Sequence, residues 1–172
     1  MRIRWRSTRA ATRYEAAAGT VLAENDVQVR RWSAEGEGYA YVTSGTRVID
    51  APPPRCAAAF AVLCHEVAHH ALGHTAHLEL VDAVQELEEE WAAWEFTFAC
   101  FVRFGFAVPA IVTRQVAESM AGRLAAALAE GLEPAPSRFQ PFEPAARALL
   151  AEPRASGYNE IRGERSAPHP PP

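Results

Sequence analysis

The chain has 172 residues, of which 49% are hydrophobic, with 17 basic and 21 acidic side chains and a formal net charge of -4. That length and composition suit one packed domain with a small appendage, and the negative balance argues against bulk nucleic-acid binding. No apolar run approaches the roughly 18–20 residues of a membrane span, so no membrane partner is expected.

In chain order, the first feature is an acid-free basic start, with Arg2, Arg4, Arg6, Arg9 and Arg13 inside residues 1–13. Its plain reading is a flexible N-terminus, because termini fray; its sharper reading is an arm that touches an acidic partner. No apolar core follows it, so it does not read as a secretory signal. Every basic residue apart from histidine is Arg, which reflects composition more than function. Cys56, Cys64 and Cys100 form neither a CxxC pair nor a disulfide framework. They read as buried thiols in a reducing compartment, so a cytoplasmic location is expected.

A short helix is predicted over 8–24. Residues 27–32, 38–43 and 46–51 are then rich in β-branched or aromatic side chains in the manner of strands, separated by the turn signals SAEGEG and SG. They predict a small antiparallel sheet or meander. The prolines at 52–54 close this region. A helix follows over 55–72, with Gly73 as its stop. A second long helix spans 80–106, bounded by Gly105 and Pro109, and a third spans 110–130, ending at Gly131. A short helix near 144–152 belongs to a C-terminal extension over 132–160, and the Pro-rich residues 161–172 read as a disordered tail. The fold class is therefore α+β: a small sheet on a mainly helical core.

The first long helix carries His65-Glu66-Val67-Ala68-His69, an HExxH motif. On a helix the two histidines stand one turn apart, about 40° around the axis, so both imidazoles reach one ion. Glu66 sits about 100° away: too far round to share the ion, yet near enough to take a proton from water there. The competing reading is a structural histidine-rich helix. Against it stands the apolar company of Phe60, Val62, Leu63, Val67, Ala68 and Leu72, among which unpaired histidines are costly.

Catalytic zinc takes three protein ligands. His74 is tempting, but the pattern HExxHxxGxxH fails by one residue at both the glycine and the third histidine. Were the helix to continue, His74 would point about 180° from His65 and His70 about 140°. His70, His74 and His77 are read as surface or supporting residues, with His74 kept as an alternative ligand. The second long helix offers Glu90 inside an apolar stripe formed by Ala83, Leu87, Ala93, Trp94, Thr97, Phe98 and Phe101. A carboxylate on a buried face needs a partner, and a metal ion is a strong one. Glu86, one turn earlier, is the rival ligand or an acceptor for a ligand histidine. Glu88 and Glu89 read as a solvated face.

HEVAHHALGH followed by Glu90 on a second helix resembles the gluzincins and, more narrowly, the ImmA/IrrE family of small metallopeptidases. GYAYVTSGTRVIDAPPP precedes the histidine helix as that family's strand region does. EWAAWEFTFACF stands at its second motif, with Glu90 and Ala93 matching its first Glu and its Ala. The likeness covers about residues 27–109. It departs at Trp94, where the family usually has Asn or Asp, and at Ala92, where it has a second Glu; the segment before Pro109 is also longer.

The resemblance implies a zincin-like metallopeptidase domain over residues 14–131. Zn2+ would sit on His65, His69 and Glu90, with Glu66 as the catalytic base. The substrate class implied is one protein partner, such as a transcriptional repressor. Mn or Co would also suit the same donors. Tyr39, Tyr41 and His74 are candidates for oxyanion stabilisation. Two other classes stand beside this one: a zinc-containing regulatory module without proteolysis, and an anti-restriction protein on a zincin fold whose Arg-rich start touches DNA.

Overall fold

A computed structural model describes residues 9–33, 37–76 and 82–151. Its elements in order are α1 (Arg9–Glu24), β1 (Val27–Trp32), β2 (Tyr39–Thr43), β3 (Thr46–Ala51), α2 (Ala57–Ala71), α3 (Ala83–Arg103), α4 (Ala110–Ala129) and α5 (Glu143–Ala151). Short 3-10 turns at His74–Ala76 and Ser137–Phe142 precede α3 and α5. The class is α+β and mainly helical, as composition and periodicity predicted. Residues 1–8, with Arg2, Arg4 and Arg6, lie outside the described residues, as do His77 and residues 152–172. Arg9 and Arg13 stand on α1, and the Arg13 guanidinium lies 5.1 Å from the centroid of the Phe106 ring.

The sheet corrects the antiparallel expectation. Its order is β1-β3-β2, with β1 parallel to β3 and only β2 antiparallel to it. Ser44 and Gly45 both have positive φ, at 50° and 78°, the two-residue turn whose twist matches a hairpin. That turn pairs β2 with β3 and leaves β3's other edge open, which β1 occupies. The link between β1 and β2, residues 33–38, is long enough to cross two strand spacings of about 4.8 Å. Turn chemistry settled the hairpin; nothing local announced the β1–β3 pairing.

On the outer face of the sheet, buried Asp50 accepts from Arg30 (Nη2 to Oδ2 2.8 Å) and from the Tyr41 hydroxyl (3.1 Å). The opposite face, with Ile49 and Ala51, is sealed against the helices. Cys64 and Cys100 are buried there, but Cys56 is exposed, because it occupies the N-cap position of α2.

α2 and α3 run antiparallel. Phe60 meets Phe101 (ring centroids 5.3 Å), His65 meets Trp94 (4.2 Å), and His69 meets Glu90 (3.6 Å). As numbers rise on one helix they fall on the other. The Phe60 end is an aromatic cluster with Tyr14, Phe101, Phe104 and Phe106. Phe60 and Phe101 are fully buried there, each such side chain contributing about 1.5–3 kcal/mol, so the apolar end clamps the pair. The polar residues collect at the other end. α4 lies against α3, with Val112, Val116, Met120 and Leu124 buried, and carries Ser119 and Arg123 to that same end.

Candidate metal centre

His65 and His69 face α3 because HExxH puts them one turn apart on the buried stripe of α2. Glu90 faces α2 because it lies on the stripe Ala83, Leu87, Ala93, Trp94, Thr97 and Phe101, all of them buried. The three side chains meet. His65 Nε2 lies 3.2 Å from His69 Nε2 and 3.3 Å from Glu90 Oε2, and His69 Nε2 lies 3.6 Å from Glu90 Oε1. His65 and Glu90 are each 8% exposed.

The donor set and its spacing suit a metal ion. Zinc bonds of about 2.0–2.1 Å in tetrahedral geometry separate neighbouring donors by about 3.3 Å, close to all three distances here. The charges suit it as well. Burial, then the neighbouring His65, hold His69 down at about 4, so its imidazole is neutral and offers a lone pair. Burial pushes Glu90 up. The hydrogen bond from His65, with the Arg123 guanidinium nearby, outweighs it and holds the carboxyl at about 2, as an anion. Two imidazoles and one carboxylate lie close enough to hold a metal ion.

Glu66 is buried beside this group, 9% exposed. Its carboxyl is pushed up to about 8, first by burial and then by the negative charge of Glu90. It abuts the backbone just before β2: a Cβ on Gly38 would fall 2.5 Å from Glu66 Cγ and 2.7 Å from Oε1. Only a residue without a side chain lets the sheet come so near.

Around the donors lies a layer the sequence pattern did not disclose. Arg123 Nη2 is 3.4 Å from Glu90 Oε1, while its Nη1 pairs tightly with Glu86. Glu86 is thereby engaged by α4 and lies outside the donor group; Glu90 takes the place beside the histidines. Trp94 Nε1 donates to Ser119 Oγ (3.4 Å), which lies 3.5 Å from Glu90 Oε2. Trp94, at the position where the family pattern has Asn or Asp, thus covers His65 with its ring and reaches Glu90 through Ser119. Glu88 and Glu89 are partly covered: Glu88 pairs with Arg138, and Glu89 accepts from Gln85 (2.9 Å).

His70 and His74 are also buried. His70 is 1% exposed, not a surface residue. Its Nε2 donates to the Val48 carbonyl (2.9 Å), and its Nδ1 accepts from the Thr75 hydroxyl (3.2 Å). His74 does not join the three donors. Its Nδ1 lies 3.1 Å from His69 Nδ1, behind the ring. The Tyr41 and Tyr39 hydroxyls go to Asp50 and Glu37, at 3.1 and 3.2 Å.

No protein-family model, curated protein or solved structure matches the chain.

Proposed function

We propose that this protein is a zinc-dependent metallopeptidase of the ImmA/IrrE kind, cleaving a peptide bond in a specific protein partner such as a transcriptional repressor. The observation that supports this best is the convergence of His65, His69 and Glu90 with a buried carboxyl, Glu66, beside them. Zinc held by those three would supply a Lewis acid able to polarise a carbonyl oxygen and acidify water.

Glu66 is the proton carrier. Its carboxylate takes a proton from the attacking water and returns it to the amide nitrogen as the carbon–nitrogen bond breaks, leaving a free amine and a carboxylic acid. Its enclosed setting keeps the carboxyl close to neutral titration, where a group can both accept and give. Arg123 and Ser119 hold Glu90 in orientation from α4, and Trp94 does the same for His65. β2 lies at one edge of the sheet and runs from Gly38, beside Glu66. An extended substrate pairing along that edge would pass the proton carrier. Among the described residues no helix is long and apolar enough to cross a membrane, and the three cysteines are unpaired, which suits the cytoplasm.

The test uses zinc-loaded protein and a mixed peptide library read by mass spectrometry. New cleavage sites are expected for the wild-type chain. Glu66→Gln should abolish them while retaining zinc. Cleavage undiminished in Glu66→Gln would remove the proton-carrier role. No cleavage by the wild-type chain of either the library or a candidate repressor would favour a metal-holding regulatory module.

A further inference from the structure

We propose that His74 is a positioning residue for the metal centre: its Nδ1 accepts the Nδ1–H of His69 and so keeps the lone pair of His69 Nε2 turned toward the ion. The inference rests on the metal-binding reading above and identifies what orders one of its ligands.

Two neutral ring nitrogens 3.1 Å apart can share one proton in only two ways. Were His74 the donor, His69 would carry its own proton on Nε2. That nitrogen is the one 3.2 Å from His65 Nε2 and 3.6 Å from Glu90 Oε1, and a protonated nitrogen cannot ligate. With His69 as the donor, its Nε2 lone pair faces the other two donors. The hydrogen bond therefore selects the tautomer that binds.

The backbone explains how a residue one place off the expected spacing comes to this position. α2 ends at Ala71, and Gly73 adopts φ +82°, a left-handed conformation that turns the chain back. His74 then opens the 3-10 turn and is 8% exposed. The turn is anchored, because Thr75 donates to His70 Nδ1 while His70 Nε2 donates to Val48 of β3. His74 is thus held by α2 and the sheet together.

His65 offers a contrast. Its buried Nδ1 has no hydrogen-bond partner among the described residues, and the Trp94 ring lies against it at 4.2 Å. Packing orients one imidazole and a hydrogen bond orients the other. A ligating histidine ordinarily gives its second N–H to a carboxylate, carbonyl or water. Here the acceptor is an uncharged imidazole, which returns less electron density to the ligand than a carboxylate would.

Zinc affinity of the full-length chain, by competition with a chromophoric chelator, is the first readout. The second is the His69 tautomer in 15N-histidine-labelled, zinc-free protein, by long-range proton–nitrogen correlation. His69 should carry its proton on Nδ1. His74→Leu should weaken zinc binding about 10–100-fold. His74→Asn, whose Oδ1 can accept the same bond, should bind close to wild type. Wild-type affinity in His74→Leu, or Asn as weak as Leu, would overturn the proposal. So would a His69 proton on Nε2, and that tautomer decides alone should His74→Leu fail to fold. A wild-type chain that binds no zinc removes the metal-binding reading itself, whereas zinc binding insensitive to His74 removes this inference only.

Discussion

Gly38 and Glu66 share a space that holds only one side chain: a Cβ on the glycine would lie 2.5 Å from Glu66 Cγ, 2.7 Å from its Oε1 and 2.8 Å from Val62 Cγ1. Ordinary carbon contacts begin near 3.5 Å, so Gly38→Ala must move the carboxylate by about 1 Å. Displacement of that size costs a reacting group on the order of 100-fold in rate. Gly38→Ala should therefore cleave peptides about 100-fold more slowly while binding zinc at wild-type stoichiometry. Rates and metal content measured on one preparation check both halves.

In the zinc-free chain, Glu66 should cost stability as pH rises. Glu66 is held at about 8 in the folded chain, against 4.5 for an ordinary glutamate. Below 4.5 both states keep the proton and no penalty exists. Between 4.5 and 8 the unfolded chain ionises while the folded one does not, so folding weakens as pH rises through that window. Glu66→Gln lacks this titration. Without metal it should melt higher than wild type at pH 7.5, by a margin on the order of a few kcal/mol. Thermal denaturation in chelator should show the gap closing toward pH 5.

Asp50 titrates in the opposite sense. The hydrogen bond from Arg30 lowers its carboxyl below 3.8, against the opposing push of burial, and the Tyr41 hydroxyl helps. Its stabilisation is present above 3.8 and is lost as pH falls through the lower folded value. Asp50→Asn should cost about 1–2 kcal/mol near neutral pH. Urea titrations of both proteins should show the difference shrinking below pH 4.

Trp94→Leu removes the ring that lies 4.2 Å from His65, whose Nδ1 has no hydrogen bond to hold it. Zinc affinity should fall about 10-fold or more, as for other residues that orient a ligand. Trp94→Phe keeps a ring there and should fall less. Equal losses in the two variants, by chelator competition, would assign the effect to the bond between Trp94 and Ser119.

What could be read from the residues alone was whatever obeys a local period. HExxH declares its geometry within one helical turn, and Glu90 stood out as a lone acid on an apolar stripe, so both led to one place. The sheet order was not legible, because β1 joins β3 through a pairing that no local signal specifies. An unbroken helix would point His74 away from the donors, whereas Gly73 turns the chain and changes the direction of the next side chain. Arg123 and Ser119 sit on α4, and their contact with Glu90 depends on how that helix lies across α3, which periodicity does not encode. His70 looked exposed by angle. The sheet lies on that side, and Val48 offers it a carbonyl.

The most direct measurement is zinc content after equilibrium dialysis, for the wild-type chain beside His65→Ala, His69→Ala and Glu90→Ala. One zinc per wild-type chain, lost in each variant, is the expected result. An undiminished zinc content in Glu90→Ala, or a folded wild-type chain that retains no metal, would contradict a centre built from these two helices.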